Sequence, residues 1–177
     1  VNSEGIITWI GHPMQMDEAL ERTIAGKIDP KKEAEKQLNA QATQQVMQQM
    51  WVALQQGELA DAYATGRAMV KNDKVDNHMF ANAVAWQILT NEDLEVRDLK
   101  LAHELATLAN KLTEGEDGSI MDTLAKAEFE MGNVAKAIEL QRKALKNLPE
   151  NMPEAQMQQM KKEMQERLAQ YEKARTA

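Results

Sequence analysis

The sequence contains no cysteine among its 177 residues. This absence excludes disulfide bonds, thiolate chemistry and zinc sites built on cysteine ligands. Positive charge is also in short supply, because 28 acidic side chains outnumber 21 lysines and arginines and give a net charge of −7. A nucleic-acid-binding protein usually carries a basic stripe, and this sequence has none. We therefore expect no nucleic-acid partner.

Aromatic residues, glycine and proline are scarce, and long apolar runs are missing. Aromatics make up 4% of the chain, with eight glycines and four prolines. No apolar segment approaches the length of a membrane span, so none is expected. Alanine and twelve methionines are instead plentiful within a hydrophobic fraction of 43%. These residues suit helices better than strands, and the composition predicts a mainly α protein with short turns and a sizeable core.

Two short segments read alike and indicate an internal repeat. Gly57–Ala62 and Gly132–Ala137 each consist of a turn glycine, an acidic or amide residue and the small-residue face of a new helix. They lie 75 residues apart, an interval that accommodates a third unit if it divides into 35 and 40 residues. Repetition on this scale is typical of helical-hairpin arrays, which serve as binding scaffolds.

The positions of other residues agree with this repeat. Trp51 and Trp86 are 35 residues apart, whereas Val84 and Leu124 are 40 apart. The five additional residues fall in the acidic turn of residues 91–98, where an insertion costs little stability. Helical spacing of apolar residues predicts a helix on each side of every bend. We therefore expect three stacked antiparallel hairpins, in which each pair of helices covers its neighbour.

The predicted hairpins, residues 43–150, have a different segment on each side. Asp29-Pro30 marks a boundary, because proline suits the first turn of a helix, and residues 29–42 are predicted to be a connecting helix or helical linker. Residues 151–177 restart as a polar helix with a narrow apolar stripe. Since a stack of repeats needs a polar end, this last helix is predicted to cap the stack.

Residues 1–28 are unlike the rest of the chain. The β-branched and aromatic run Ile6–Ile10 predicts a strand, and Asp17 predicts the start of a short helix that ends at Gly26. A single strand cannot satisfy its own backbone hydrogen-bonding groups. We therefore expect that this segment belongs to a larger domain or that its strand pairs with another molecule. A homodimer through Ile6–Ile10 is one such pairing.

The third pair of helices resembles a tetratricopeptide repeat. The resemblance rests on the run Ala127–Glu139, followed by Ala144-Leu145 and Pro149. The family implies paired antiparallel helices stacked into a right-handed superhelix with a concave groove. Glu128 departs from the family pattern, because an aromatic residue is common there, and one packing contact is expected to be weaker. The resemblance spans about residues 41–150 and is lower in the first two pairs.

The first 28 residues resemble the last strand and helix of a thioredoxin-like domain of the thiol–disulfide reductase branch. The resemblance rests on Glu4–Pro13, and Asn82–Trp86 with Arg97-Asp98 is similar to helical-repeat extensions that such domains can carry. The redox chemistry of that family needs a Cys-x-x-Cys pair, which this chain lacks, so no catalytic residue is carried over. The resemblance implies a periplasmic or otherwise exported protein, and a cytoplasmic one is expected without it.

Two tryptophans are the main candidates for contact with a partner. Trp51 and Trp86 occupy equivalent places on the first helices of adjacent pairs, which line the groove in tetratricopeptide-like stacks. Tryptophan and methionine are effective anchors at interfaces. The alternative is that both tryptophans are buried between helices as core residues. The predicted partner-binding set comprises Met47, Trp51, Leu54, Met79, Asn82, Trp86 and Leu89, with Asp122 and Lys126 where the groove becomes polar.

No catalytic, metal or cofactor site is predicted. His12, His78 and His103 are too scattered in sequence for a metal motif, and His103 is expected at the surface. The acidic turn around Gly115 lacks the alternating oxygen ligands of a calcium loop. No Ser/His/Asp arrangement or phosphate-binding glycine loop is recognisable in the sequence.

Two functions are consistent with these patterns. The first is a non-catalytic protein-interaction module whose groove binds a peptide or a partner domain. The second is the C-terminal part of a thiol–disulfide oxidoreductase whose Cys-x-x-Cys site lies upstream. In the second case this chain is itself inactive, and its helices present substrates or partners to the redox domain.

Overall fold

The computed structural model describes residues 20, 21, 25, 29–71, 77–149 and 152–176. Within these residues the chain forms seven helices and no strand, which confirms the prediction of a mainly α protein. The predicted strand Ile6–Ile10 and most of the predicted helix after it lie outside the described residues, in which Leu20 and Glu21 are helical. The seven helices are α1 (Pro30–Gln56), α2 (Leu59–Lys71), α3 (His78–Thr90), α4 (Leu99–Leu112), α5 (Gly118–Glu130), α6 (Val134–Ala144) and α7 (Glu154–Thr176).

Helix α1 begins at the predicted boundary, with Pro30 as its first residue. The Asp29 carboxylate accepts hydrogen bonds from the backbone N–H groups of Lys31 and Lys32, at 3.0 and 3.3 Å. These bonds satisfy donors that the first turn of a helix otherwise leaves without a partner. The helix then continues to Gln56 without interruption, so the predicted connecting segment is the first part of α1.

Helices α1 and α5 end at matching glycine bends. Gly57 and Gly132 both have a left-handed backbone conformation, with φ angles of 77° and 84°. The residue after each glycine, Glu58 or Asn133, donates its N–H to the carbonyl five positions earlier, at 2.9 and 2.8 Å. Glycine adopts this conformation without the steric cost of a Cβ atom. The two repeat glycines identified in the sequence therefore have the same conformation and the same hydrogen bonding.

The chain divides into two compact units, residues 1–48 and 49–177. In the second unit, α3 packs against α4 and α5, α5 also packs against α4 and α6, α6 packs against α7, and α2 packs against α4. Small side chains let helices approach closely, and six alanines of these helices are fully buried. These alanines are Ala85, Ala102, Ala109, Ala125, Ala137 and Ala144.

Helices α5 and α6 run in opposite directions. Near the bend between them, the Lys136 ammonium lies 2.5 Å from the Glu128 carboxylate. Farther from the bend, the Gln141 side-chain amide donates a hydrogen bond to Asp122 at 2.5 Å. Residues near the bend thus contact each other, and residues far from the bend contact each other. This is the contact pattern of an antiparallel pair of helices.

Helix α6 ends at Ala144, although Leu145 and Leu148 continue its apolar spacing and predict one further turn. Just after this end, the Asn147 carbonyl accepts the backbone N–H of Gly118, at 2.9 Å. This bond joins the segment after α6 to the first residue of α5. A Cβ atom on Gly118 would collide with the carbonyl oxygens of Asn147 and Ala144, so the close approach requires a glycine.

Candidate functional site

A cleft with a volume of ≈ 550 Å³ lies between α3, α5 and α7. This volume falls within the range of ligand-binding pockets, roughly 300–1,000 Å³. Helix α3 contributes Asn82 and Trp86 to the lining, and α5 contributes Asp122. Helix α7 forms the remaining wall, with Met160, Glu163 and Arg167 among its lining residues. We call this feature the α3–α5–α7 cleft.

A buried ion pair joins α5 to α7 at the cleft. The Arg167 guanidinium donates to both oxygens of Asp122, with Nε–Oδ1 and Nη2–Oδ2 distances of 2.9 and 2.7 Å. Gln141 of α6 donates to the same carboxylate, whose side chain is only 7% exposed. A bidentate pair of this kind is strongly directional. It therefore holds the α7 wall of the cleft in a fixed place beside α5.

The same arginine lies beside the only aromatic ring among the lining residues of this cleft. The guanidinium carbon of Arg167 is 5.2 Å from the centroid of the Trp86 ring, within the range of a cation–π contact. Trp86 is half-buried, so part of its ring stays available at the cleft. One side chain thus orients both the tryptophan and the buried carboxylate.

Two lining residues, Glu163 and Asn82, have side-chain oxygens that are incompletely paired within the described residues. Among the described residues, Glu163 forms no ion pair, and its carboxylate accepts only the amide of Gln159, at 2.7 Å. The side-chain oxygen of Asn82 is buried and has no partner in the described part of the chain. Because Asp122 and Arg167 neutralise each other, Glu163 leaves the lining with one carboxylate in excess.

Apolar packing supports the α7 wall from behind. Tyr171 is 1% exposed and stacks on Phe129, with ring centroids 4.4 Å apart. Burial raises the pKa of Tyr171 above its ordinary value of 10.0, and the negative charge of Asp122 adds to this effect. Met164 is also 1% exposed and belongs to a buried cluster with Met121. Helix α7 is thus anchored by its apolar stripe as well as by the ion pair.

A second buried carboxylate lies away from the cleft. Glu128 of α5 is 1% exposed and lies 2.5 Å from Lys136, 2.7 Å from the Asn133 amide and 2.9 Å from the His103 ring nitrogen. Burial by itself raises the pKa of Glu128, but hydrogen bonds from Lys136, His103 and Asn133 outweigh burial and lower the pKa from 4.5 to about 2. The carboxylate is therefore ionised at neutral pH.

This cluster contains two residues for which the sequence predicted no polar partner. Glu128, expected to weaken a packing contact, is buried and bonded to three partners. His103, expected at the surface, has a side chain that is 28% exposed and bonded to Glu128. A helical pattern shows which face a residue occupies, but it does not show which partner a neighbouring helix brings to that face. The cluster links α4, α5 and the start of α6.

The nine residues predicted to contact a partner occupy different environments. Three of them, Asn82, Trp86 and Asp122, line the α3–α5–α7 cleft. Leu54 and Leu89 are core residues, 2% and 1% exposed. The remaining four lie elsewhere: Met47 and Trp51 are half-buried on α1, Met79 is highly exposed at the start of α3, and Lys126 is half-buried and paired with Glu130.

The α7 side of the cleft was not predicted from the sequence. Met160, Glu163 and Arg167 lie on a polar helix that was expected only to cap the stack. The spacing seen in the sequence contained a signal for these positions, since one further step of 35 to 40 residues from Ala125 reaches residues 160–165, at the cleft-facing part of α7.

The acidic turn before α5 has a structural role. The Asp117 carboxylate accepts the backbone N–H groups of Ser119 and Ile120, at 2.8 and 3.1 Å, and so caps α5.

In the described ranges, no group of three or more histidine, aspartate or glutamate side chains is arranged to hold a metal ion. None of the described helices combines the length and the apolar character that crossing a membrane requires.

Comparisons with protein-family models, with curated proteins and with solved structures found no match for the chain. The chemistry of the cleft is therefore the guide to what the protein does. The cleft offers a half-buried indole, a methionine thioether, side-chain amides and an excess carboxylate. These groups are suited to non-covalent recognition of another molecule.

Proposed function

We propose that the chain is a non-catalytic protein-interaction module and that the α3–α5–α7 cleft binds a peptide segment of a partner. The observation that carries this proposal is the convergence of Trp86, Met160 and Asn82 on one cleft. A partly exposed tryptophan and a methionine provide apolar anchor surface. The asparagine side-chain N–H group can donate a hydrogen bond to a carbonyl of a peptide backbone.

In this proposal the helices stack as antiparallel hairpins of the tetratricopeptide type. Three observations support it: the matching bends at Gly57 and Gly132, the opposite directions of α5 and α6, and the packing of α5 against both helices of the preceding pair. Under this arrangement α3, α5 and α7 occupy successive first-helix positions. A cleft lined by all three is then the concave side of the stack.

The test begins with an unbiased selection. The full chain is immobilised and used to select peptides from a random library displayed on phage, and the affinity of the best peptides is measured by fluorescence polarisation. Trp86→Ala should weaken binding about 30-fold, which corresponds to the loss of an anchor residue of about 2 kcal/mol. Circular dichroism checks that the variant remains helical, and Trp86→Leu provides a second variant that retains apolar volume.

Trp51→Ala is the matched control. Trp51 is also a half-buried helical tryptophan, but it does not line the cleft. We expect its replacement to leave peptide affinity within about twofold of the wild type, since surface changes outside the contact have little effect. Loss of affinity in Trp51→Ala alone would move the site to the first pair of helices. Unchanged affinity in Trp86→Ala would contradict the proposed site.

A second proposal concerns the parent protein and rests on residues 4–13. Their resemblance to the end of a thioredoxin-like domain favours a thiol–disulfide oxidoreductase in which this chain is a non-catalytic extension. In that case the cleft would hold a substrate or partner of the redox domain. Sequencing the full-length gene tests this proposal, because absence of an upstream Cys-x-x-Cys motif would reject it.

A further inference from the structure

The charged side chains that line the α3–α5–α7 cleft indicate which kind of peptide binds there. The single cation among its lining residues, Arg167, is already paired with Asp122 at 2.7 Å. The carboxylate of Glu163 is exposed on the α7 wall and has no cationic partner among the described residues. The lining therefore has unused negative charge and no unused positive charge.

The apolar part of the lining points the same way. Trp86 and Met160 line the same cleft as Glu163, so a side chain with a cationic head and an aliphatic stem can pair with the carboxylate and also pack on the apolar surface. A ligand with acceptors alone would leave Glu163 without a cation.

From these observations we infer that the cleft selects a partner segment in which a lysine or arginine side chain is flanked by apolar residues. The cationic head pairs with Glu163, while the apolar neighbours and the aliphatic stem lie against Trp86 and Met160. The net charge of −7 attracts such a segment over a longer range. This inference rests on the proposed peptide-binding function and specifies its partner.

The experiment uses the full chain and the peptides selected from the unbiased library. We expect the peptides that depend on Trp86 to contain lysine or arginine beside apolar residues. Replacing arginine by citrulline, which has nearly the same shape without the charge, should weaken binding about fivefold, the size expected for a partly exposed ion pair. Raising sodium chloride from 50 to 500 mM should weaken the arginine peptide and leave the citrulline peptide nearly unchanged.

Two matched variants locate the charge effect. Glu163→Gln should bind the arginine and citrulline peptides equally, because it removes the carboxylate that distinguishes them. Glu166→Gln, an exposed residue of the same helix that does not line the cleft, should retain the fivefold difference. Trp86-dependent peptides without a basic residue, or equal binding of both peptides by the wild type, would overturn this inference and leave the proposed function intact. If no selected peptide depends on Trp86, both fail.

Discussion

At the residue scale, the buried carboxylate of Glu128 is bonded to three different side chains. It is 1% exposed, and its hydrogen bonds come from Lys136, His103 and Asn133. All three partners present hydrogen-bond donors, so the site is built for a group that only accepts. A buried charge is tolerated in a protein when it is paired and fully hydrogen-bonded.

The variant Glu128→Gln tests this role. The amide nitrogen of glutamine would face donors instead of accepting from them, and the charge would be lost. We expect the free energy of unfolding at pH 7 to fall by about 2–3 kcal/mol, measured by urea denaturation followed by circular dichroism. Glu139→Gln is the control, since Glu139 is exposed and, among the described residues, bonds only Lys143 of its own helix. The control should change stability very little.

The pH dependence gives a second measurement on the same pair of proteins. The pKa of Glu128 is lowered in the folded state from 4.5 to about 2, so its ionised form stabilises the fold above pH 4.5. That contribution is lost as the pH falls from 4.5 to about 2. The difference in stability between wild type and Glu128→Gln should therefore shrink over this interval. A difference independent of pH would show that the charge is not responsible.

The charged residues of the cleft show what sequence patterns do not reveal at this scale. Asp122 was predicted to lie where the groove becomes polar, but its pairing with Arg167, 45 residues away in the sequence, was not predicted. A helical pattern assigns such residues to a solvent-exposed face. Their pairing depends on the placement of α7 beside α5, which is a property of tertiary packing. Trp86 and Asn82 could be predicted because the repeat register identifies their face.

At the scale of single helices, the sequence predicted most of the elements because their signals are local. Helical spacing of apolar residues, the boundary at Pro30 and the bends at Gly57 and Gly132 all correspond to observed starts and ends. The end of α6 at Ala144 was not predicted. Just after this end, the hydrogen bond from Gly118 to Asn147 joins α5 to the segment after α6, and local sequence signals do not reveal a contact between residues so distant in sequence.

Two glycines provide a prediction about how helices approach one another. Gly118→Ala places a Cβ atom 2.6 Å from the Ala144 carbonyl oxygen, and a backbone atom there cannot move without shifting α6. Gly66→Ala places a Cβ atom 2.5 Å from Met50 Cε and 2.9 Å from Leu101 Cδ2, which are both ends of side chains and not backbone atoms. We expect Gly118→Ala to lower the free energy of unfolding by about 2 kcal/mol.

Gly66→Ala should cost less than about 1 kcal/mol, since alanine's higher helix propensity offsets part of the strain. Thermal unfolding of both variants, analysed with the same heat capacity change, compares the two costs directly. The prediction would be wrong if both variants lost the same free energy of unfolding, or if Gly66→Ala lost more. Either result would mean that the backbone around the hydrogen bond between Gly118 and Asn147 can shift to accept a Cβ atom.

At the scale of the whole molecule, helices protected on several sides should be the last to open. Helix α5 packs against α3, α4 and α6, and its side chains also contact α7. Hydrogen–deuterium exchange measured by mass spectrometry should therefore show the slowest exchange in α5. Its amides should exchange only on global unfolding, whereas the last turn of α7 should exchange many times faster. Equal exchange in α5 and in the last turn of α7 would contradict this order.

The crowding around α5 also bears on how this protein can change over evolutionary time. Nine of its thirteen residues are buried, including Asp122, Thr123 and Glu128. Almost any replacement there disturbs a neighbouring helix or leaves a polar group without its counterpart. The exposed residues of α7, by contrast, can be replaced with little effect on packing. Related chains should therefore be recognised first by the residues of α5, and new binding preferences should arise mainly through the α7 wall of the cleft.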